Sequence, residues 1–340
     1  MSGAVESLKL SKKDFVTDQE VRWCPGCGDY AILSATQQVF AELGVPRHRF
    51  VIVSGIGCAS RFPYYMNTYG FHTIHGRAPA IATGIKITNP ELAVWIVTGD
   101  GDSLSIGGNH IIHLMRRNVD VKVMLFDNRI YGLTKGQYSP TSEAGKKTKS
   151  TPYGSIDRPF NPIALAFGAG ATFVARSVDV FTPHLKNTIH AAHGHRGTAF
   201  VQIYQNCNIF NDGTFGNVRE KNLRDDYLLN VEHGKPLIFG KDRDRGIRLA
   251  APHRPEVVKL GNGVGESDLV VHDEKGPMGY LAMLAEMQPP EFPVPIGVLR
   301  RVDEPTLDGG MREQIEQISD QKGPGDLEKA LHSGGTWTVR

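Results

Sequence analysis

Two short polar segments carry oxygen-bearing side chains at positions suited to holding a metal ion. Asp100 and Asp102 directly follow the apolar run Val94–Val97, and Asn128 lies 28 positions after Asp100, at the end of the next apolar run. Because the strands of a parallel sheet end at a common edge, neighbouring strands would bring Asp100 and Asn128 together. A carboxylate, an amide oxygen and a backbone carbonyl are hard donors that Mg²⁺ accepts beside phosphate oxygens. The two segments therefore indicate a magnesium site, although each alone is also typical of an ordinary turn.

The glycines around Asp100 indicate what the metal would accompany. Glycine at a strand-to-helix turn lets backbone N–H groups approach a diphosphate, with the start of the next helix directed at its charge. The Gly-Asp-Gly…Asn pattern resembles the signature of thiamine-diphosphate enzymes. By position, the resemblance implies that Mg²⁺ is bound by Asp100, Asn128 and the carbonyl of Ile130. It also implies that the diphosphate is lined by Gly101, Asp102, Gly132 and Leu133.

The four cysteines form a second set of candidate ligands. Cys24 and Cys27 make a Cys-Pro-Gly-Cys knuckle, Cys58 follows the first predicted strand, and Cys207 follows the last strong one. In a reducing compartment, so few cysteines are better explained as thiols or metal ligands than as disulfides. A redox-active pair would use Cys24 and Cys27 alone. Four thiolates suit either structural zinc or a [4Fe–4S] cluster, and the spacing does not decide between these two.

A wider resemblance covers roughly residues 20–215. The order of Cys24-Pro-Gly-Cys27-Gly, Gly55-Ile-Gly-Cys58, the thiamine motif and Cys207 is similar to that in β subunits of 2-oxoacid:ferredoxin oxidoreductases. The resemblance implies that all four cysteines bind one [4Fe–4S] cluster near the cofactor. It further implies cofactor contacts from the loop after the first strand and from a His-Gly-Arg element. These contacts are Ile56, Gly57, Cys58, Ala59 and His75.

The segments that position these residues alternate between strands and helices. Short apolar runs predict strands, and longer stretches with helical spacing lie between them. The predicted strands are Phe50–Ser54, Ala93–Thr98, Val119–Phe126, Ala171–Ala175 and Ala199–Tyr204. The predicted helices are Tyr30–Leu43, Ala78–Ile87, Ile106–Arg116, Pro162–Phe167 and Pro183–Ala192. This alternation predicts an α/β fold, with a mostly parallel sheet covered by helices on both faces, and the resemblance implies the thiamine-diphosphate-binding fold.

The chain is predicted to have three parts. Residues 1–20 form an N-terminal extension, residues 21–220 the domain for thiamine diphosphate and the [4Fe–4S] cluster, and residues 221–340 an extended C-terminal arm. Residues 251–310 hold eight prolines and little periodicity, and short helices are expected at Met311–Ile318 and Leu327–His332. We expect the arm to wrap a partner subunit, because several of its apolar residues would otherwise be exposed. These residues are Leu269, Val270, Val271, Ile296, Val298 and Leu299.

Bulk properties narrow the class of protein. Hydrophobic residues make up 40% and charged residues 22% of the 340, as in an ordinary globular protein. The net charge of +2 gives no reason to expect nucleic acid or an anionic membrane as a partner. The N-terminus lacks the apolar core of a signal peptide, and no apolar run reaches the roughly 20 residues that span a bilayer. A cytoplasmic location is therefore expected.

The resemblance implies oxidative decarboxylation of a 2-oxoacid to acyl-coenzyme A and CO₂, with electrons passing through the cluster to ferredoxin, and the reverse carboxylation. An α subunit is expected to supply the second half of the cofactor site and its activating glutamate, in an α2β2 complex. Gly132–Gln137 and the His-Gly-Arg element resemble those of the two-subunit 2-oxoglutarate type more than the pyruvate type, and this resemblance implies 2-oxoglutarate as substrate. Arg61 and Lys135 are candidate cations for its carboxylate, although a solvated surface charge explains each more simply.

Several alternatives stay open. Pyruvate or a branched-chain 2-oxoacid is the alternative substrate. A non-redox thiamine-diphosphate decarboxylase or synthase with structural zinc, and a non-catalytic iron–sulfur electron-transfer subunit, are the alternative functions.

Overall fold

A computed structural model describes residues 9–250 and 254–339 of the chain. Its strands are β1 (Phe50–Ser54), β2 (Tyr69–His72), β3 (Ala93–Gly99), β4 (Lys122–Asp127), β5 (Phe173–Val178), β6 (Ala199–Tyr204), β7 (Leu228–Val231), β8 (Ile238–Phe239), β9 (Arg245–Ala250), β10 (Arg254–Lys259) and β11 (Val294–Arg301). Its helices are α1 (Asp29–Glu42), α2 (Phe62–Tyr65), α3 (Ala78–Thr88), α4 (Asp100–Leu104), α5 (Gly108–Arg117), α6 (Pro162–Gly168), α7 (Thr182–Gly194), α8 (Gly216–Arg219), α9 (Arg224–Tyr227), α10 (Met278–Glu286), α11 (Leu307–Lys322) and α12 (Leu327–Leu331).

Within the described ranges the strands form one large and one small sheet. The large sheet has eight strands in the order β2-β1-β3-β4-β6-β5-β11-β7, and the small one has the order β10-β9-β8. In the large sheet, β11 pairs antiparallel with β5 and all other neighbours pair in parallel. The predicted mostly parallel α/β fold is confirmed, and each of the five predicted strands has its counterpart, shifted by at most three residues.

Two apolar cores lie on opposite faces of the large sheet. Successive residues of a strand point to opposite faces, so one strand contributes to both cores. In β3, Val94 and Ile96 pack in one core with α3, α5, α6 and α10, whereas Trp95 and Val97 pack in the other with α1 and α7. The central strands are buried throughout, because helices cover both faces.

The N-terminal segment is fixed to one of these cores from residue 12 onwards. Lys12–Phe15 form a 3₁₀ turn, and the side chain of Phe15 is fully buried. Its ring meets those of Phe40 in α1 and Phe50 in β1 edge-on, at centroid distances of 5.9 and 5.7 Å. Residues 1–8 of the predicted extension lie outside the described residues.

The structure corrects the expectation of an extended arm over residues 228–301. β7 and β11 belong to the large sheet, and α10 packs in the same core as α6. Ile296 and Leu299 are fully buried and Leu269 nearly so, which means that this chain covers most of the apolar residues thought to need a partner; Val271 stays half exposed. These elements could not be recognised in the sequence, because the strands are short and prolines interrupt the pattern. In addition, β11 pairs with β5 and β7, which are both distant from it along the chain. Residues 251–253 and 340 lie outside the described ranges.

The part that extends from the domain is the segment from residue 307 onwards. Hydrogen bonds attach the start of this segment to the domain. Asn118 Nδ2 donates to the carbonyls of Glu304 and Pro305, just before the segment, and the backbone N–H of Asp120 donates to Asp308 within it. α11 is longer than the predicted helix at Met311–Ile318, and α12 matches the second predicted helix. Both helices are largely exposed, with apolar side chains uncovered at Ile315, Ile318, Leu327 and Leu331, and Trp337 beyond them is exposed as well. Within the described ranges, the helices are all too short or too polar to cross a bilayer.

Replacement of a buried residue in β11 tests whether this late segment belongs to the core. We expect Ile296→Ala to lower the free energy of unfolding by about 2–5 kcal/mol, because a fully buried side chain leaves a cavity. Ile318→Ala, in exposed α11, is the matched control and should change stability by no more than about 0.5 kcal/mol. Urea denaturation followed by circular dichroism measures both. Equal effects of the two variants would contradict the placement of β11.

Candidate active site

One cavity lies at the carboxyl ends of β1, β3 and β4. All of the residues predicted to contact the cofactor or its magnesium line this cavity. They are Ile56, Gly57, Cys58, Ala59, His75, Asp100, Gly101, Asp102, Asn128, Ile130, Gly132 and Leu133. Arg61 lines a neighbouring pocket that shares Ile56, Gly57 and Leu133 with this region, whereas Lys135 is exposed and outside the lining.

Asp100 presents a buried carboxyl group at the floor of the cavity. It is the first residue of α4, and its Oδ2 accepts hydrogen bonds from Ser139 Oγ at 2.5 Å and Thr141 Oγ1 at 2.6 Å. The neighbouring carboxyl of Asp127 is also buried and accepts from Thr141 Oγ1 and Gln202 Nε2. Burial, followed by repulsion from Asp127, raises the pKa of Asp100 to about 7. Among the described residues no lysine or arginine pairs with Asp100, so this carboxyl suits a bound cation.

Asn128 follows β4, which neighbours β3 in the sheet. Gly99 at the end of β3 lies opposite Phe126 in β4, and this register brings Asp100 and Asn128 to the same edge. Asn128 Oδ1 accepts from the backbone N–H of Ile130 at 3.1 Å, and its Nδ2 donates to Gln205 Oε1 at 2.8 Å. The side-chain amide therefore has one orientation, with its oxygen on the side of Ile130. The Asp100 carboxylate, Asn128 Oδ1 and the Ile130 carbonyl are donors of the types that Mg²⁺ prefers.

Asp102 joins two loops beside the cavity to the end of β3. Its Oδ1 accepts from the backbone N–H groups of Ile56 at 3.2 Å and Gly76 at 2.8 Å, and its Oδ2 accepts from Thr98 Oγ1 at 3.0 Å. A Cβ at Gly55 would lie 1.9 Å from Asp102 Oδ2, so only glycine fits there. The loop with His75 and the loop with Cys58 are thus held by one carboxylate.

Glycine at position 101 is required by a neighbouring ring. A Cβ there would lie 2.1 Å from Cε1 of Tyr131, whose hydroxyl donates to the carbonyl of Gly101 at 3.1 Å. The predicted diphosphate loop is therefore packed against the segment that follows Asn128. The Gly-Asp-Gly motif serves this close approach as well as leaving its backbone open to the cavity.

The four cysteines converge at the same edge of the sheet. Asn208 Nδ2 donates to the carbonyl of Pro25 at 2.6 Å, which joins the Cys207 loop to the Cys24–Cys27 knuckle. Trp23 Nε1 donates to the carbonyl of Cys58 at 2.7 Å and joins the knuckle to the loop after β1. The position of a Cβ on Gly132 would be 3.5 Å from Cys207 Sγ and 3.6 Å from Cys58 Sγ, so these two sulfurs flank one point.

The spacing of the sulfurs bears on the choice between zinc and a cluster. No three His, Cys, Asp or Glu side chains in the part of the chain that the structure describes are close enough to hold a single metal ion. A zinc ion needs all its sulfurs at about 2.3 Å from one centre. In a [4Fe–4S] cluster each thiolate binds a different iron, so the sulfurs lie farther apart. Among the described residues, the cysteines are therefore not preformed for a single zinc ion.

Electrostatics at the cysteines favour a positively charged occupant. Burial, followed by the charge of Asp29, raises the pKa of the Cys58 thiol to about 12, and the same causes raise the pKa of the Cys27 thiol. Deprotonated thiolates are therefore costly here unless a metal compensates them. Iron would supply that compensation.

Sequence reasoning missed several residues that shape the site. Asp127 and Thr141 adjoin Asp100, Ser139 donates to it, and Gln205 bonds to Asn128. Ser139 and Thr141 lie in a long irregular loop without periodic spacing. The adjacent Asp127–Asn128 pair was the one available signal, since Asp127 ends β4 and Asn128 follows it directly.

Comparison with known proteins defines the class of this fold and site. Residues 55–203 match the family described as "Thiamine pyrophosphate enzyme, C-terminal TPP binding domain". This range contains every predicted magnesium ligand and cofactor contact.

More specific similarity extends over nearly the whole chain. The 2-oxoglutarate oxidoreductase subunit KorB of Mycobacterium tuberculosis is 49% identical over 331 residues, which cover 96% of this chain and 88% of that protein. The β subunit of 2-oxoacid:ferredoxin oxidoreductase 1 from Aeropyrum pernix is 51% identical over 56% of this chain and 60% of that protein. A solved structure of 2-oxoglutarate:ferredoxin oxidoreductase from Magnetococcus marinus, with 2-oxoglutarate, coenzyme A and succinyl-CoA bound, has a TM-score of 0.76 and 32% identity and covers 98% of both chains.

The chain belongs to the β subunits of the 2-oxoacid:ferredoxin oxidoreductases, and it is a subunit of a thiamine-diphosphate-dependent 2-oxoacid oxidoreductase. The family predicted from the cysteine and thiamine motifs is confirmed.

Removal of the Asp102 carboxylate tests its role in holding the loops. We expect Asp102→Ala to destabilise the protein by roughly 1–3 kcal/mol, because the buried N–H groups of Ile56 and Gly76 lose their acceptor. Deuterium exchange of the peptides that contain these two residues should become faster. Asp102→Asn is the matched control, since its remaining oxygen can accept both bonds. Unchanged exchange in Asp102→Ala would contradict this role.

Proposed function

We propose that this chain is the β subunit of an enzyme that oxidatively decarboxylates 2-oxoglutarate to succinyl-CoA and CO₂ and passes the electrons through a [4Fe–4S] cluster to ferredoxin. The observation that carries the proposal is the contact between two sites: Cys58 and Gly132 line the cavity, and Cys58 Sγ and Cys207 Sγ flank Gly132. Electrons would therefore pass from the cofactor in the cavity to the cluster over a short distance, with Gly132 between the two. The reaction can also run as a reductive carboxylation.

The proposed roles of the cavity residues follow from their donor types. Asp100, Asn128 and the carbonyl of Ile130 would hold Mg²⁺, and the backbone around Gly101, Asp102, Gly132 and Leu133 would line the diphosphate. Ile56, Gly57, Cys58, Ala59 and His75 would contact the rest of the cofactor. When bound, thiamine diphosphate supplies the electron sink that lets the carboxylate leave as CO₂. Ser139 and Thr141 would keep Asp100 oriented by donating to its Oδ2.

The proposed cluster ligands are Cys24, Cys27, Cys58 and Cys207. The convergence of three chain segments on one sheet edge and the raised thiol pKa values support this set. The alternative of structural zinc with non-redox chemistry is less well supported, because no single-ion group exists among the described residues.

An α subunit is the proposed partner at the mouth of the cavity. β2 is the edge strand of the large sheet, and all four of its residues are exposed. Exposed apolar side chains continue from this edge around the cavity, at Tyr69, Phe71, Ile74, Ile106 and Leu133. An uncovered edge strand with apolar neighbours favours a protein interface. The proposed α subunit would cover this surface and complete the cofactor site, in an α2β2 complex, with α11 and α12 as a second contact.

The substrate is proposed from the relatives as well as from the sequence. The M. tuberculosis relative is named as a 2-oxoglutarate oxidoreductase subunit, and the M. marinus structure holds 2-oxoglutarate. Pyruvate and branched-chain 2-oxoacids remain the alternatives, because the A. pernix relative is named only for 2-oxoacids.

An assay of the purified complex tests the proposal. With coenzyme A present, 2-oxoglutarate should reduce ferredoxin or a viologen dye faster than pyruvate or branched-chain 2-oxoacids do. Cys207→Ser should lose iron and acid-labile sulfide and abolish dye reduction, while thiamine diphosphate stays bound. Ser333→Ala, in the exposed C-terminal segment, is the control variant. A colourless wild-type complex that contains one zinc ion per chain would refute the redox proposal.

The pKa of Asp100 predicts how magnesium binding depends on pH. Below a pH of about 7 the carboxyl holds a proton that Mg²⁺ must displace, so affinity should fall about tenfold for each pH unit below 7 and level off above it. Ser139→Ala removes a hydrogen bond that favours the ionised form, and it should move this transition to higher pH. Titration of the cofactor-depleted complex with Mg²⁺ and thiamine diphosphate measures both. Affinity that is constant from pH 6 to 8 would contradict the assignment of Asp100.

A further inference from the structure

Gln205 lies between the proposed magnesium site and the proposed cluster and bonds to a ligand of each. It follows β6 directly, is buried, and its backbone N–H donates to the carbonyl of Asp127 at 2.9 Å. Its Oε1 accepts from Asn128 Nδ2 at 2.8 Å, and its Nε2 donates to Cys27 Sγ at 3.3 Å and to the carbonyl of Asn206 at 2.6 Å. One side-chain amide thus joins the two centres.

The orientation of this amide is fixed from both ends. The carbonyl of Asn206 can only accept, so the nitrogen of the Gln205 amide must face it. On the other side, the backbone N–H of Ile130 donates to Asn128 Oδ1, which leaves Asn128 Nδ2 to donate to Gln205 Oε1. Both hydrogens of Gln205 Nε2 then have acceptors, one of which is the sulfur of Cys27.

We infer that Gln205 is a positioning residue that raises the reduction potential of the cluster by donating to Cys27 Sγ and, at the same time, orients Asn128 toward the metal. This inference rests on the proposed function. Reduction adds one electron to the cluster and increases the negative charge on its sulfurs. An N–H donor stabilises that charge and so favours the reduced form.

The surroundings of Cys27 give this donor particular weight. Cys27 is partly buried and the neighbouring carboxyl of Asp29 is fully buried, so little water is available to stabilise negative charge on the sulfur. In the described part of the chain, Gln205 is the one side chain that donates to a cysteine sulfur, and the backbone N–H of Asp29 is a second donor to Cys27. Gly28 provides the space for Gln205, because a Cβ there would lie 3.0 Å from Gln205 Cγ.

Two substitutions separate the two roles of Gln205. Gln205→Met has a similar length and removes both the donor and the acceptor. Gln205→Glu keeps an oxygen for Asn128 Nδ2 but replaces the donor to Cys27 with an anionic oxygen. Gln37→Met is the matched control, because Gln37 is also buried and donates to the carbonyl of Tyr65, which is not part of either centre.

Potentiometric titration of the purified complex, followed by the EPR signal of the reduced cluster, measures the first role. We expect both Gln205 variants to decrease the reduced-to-oxidised ratio at a fixed solution potential by about tenfold, which corresponds to 59 mV for one electron. Gln37→Met should leave the midpoint potential unchanged. The affinity for Mg²⁺ and thiamine diphosphate measures the second role, and it should weaken in Gln205→Met while Gln205→Glu stays close to wild type.

The outcomes that overturn the inference differ from those that overturn the proposed function. A wild-type complex without iron or without an EPR signal would refute the cluster itself. A normal wild-type signal with unchanged midpoint potentials in both variants would refute the role of Gln205 alone. If Gln205→Met fails to retain the cluster, the potential of Gln205→Glu decides, since a value equal to or above wild type excludes the inference.

Discussion

The parallel register of four neighbouring strands is the constraint on which the site depends. β1, β3, β4 and β6 lie side by side and point the same way, so the loops after them meet at one edge. Those loops carry Cys58, Asp100, Asn128 and Cys207 in that order. Cys24 and Cys27 come instead from the segment before α1, which hydrogen bonds join to the loops after β1 and β6. The hydrogen bonds of the sheet therefore set the separation between the cavity and the cysteines, and a shift in register would move a ligand of each.

This edge also concentrates groups whose charged forms are unfavourable when nothing is bound. Burial raises the pKa of Asp100 and of the Cys58 thiol, and Asp127 adds repulsion to the first. Burying a charge costs much less when an opposite charge is fixed beside it. Hydroxyl and backbone donors partly stabilise the carboxyls, whereas the Gln205 amide is the one side chain within the described residues that donates to a cysteine sulfur. The chain is thus built so that cations at both centres would stabilise its fold.

The central part of the fold could be predicted from the sequence, whereas the late strands and several side-chain roles could not. The central strands are continuous apolar runs, and the motifs stand where these runs end, so the sheet and the lining residues could be predicted. The late strands could not, because β11 lies between β5 and β7 in the sheet, although 62 residues separate it from β7 and 115 from β5 along the chain. Roles that depend on the direction of a side chain could not be predicted from the sequence either. Nothing in the spacing of Asp102 indicates that it holds Ile56 and Gly76, or that Gln205 reaches Cys27.

The glycine at position 132 shows how close the two centres lie. A Cβ there would be at ordinary van der Waals distance from Cys58 Sγ and Cys207 Sγ, so the cysteines do not by themselves require glycine. The same residue lines the cavity on its other side. A side chain at position 132 would extend from that Cβ toward the two sulfurs, so glycine leaves only backbone between the sulfurs and the cavity. This short separation follows from the sheet edge that the cavity and the cysteines share.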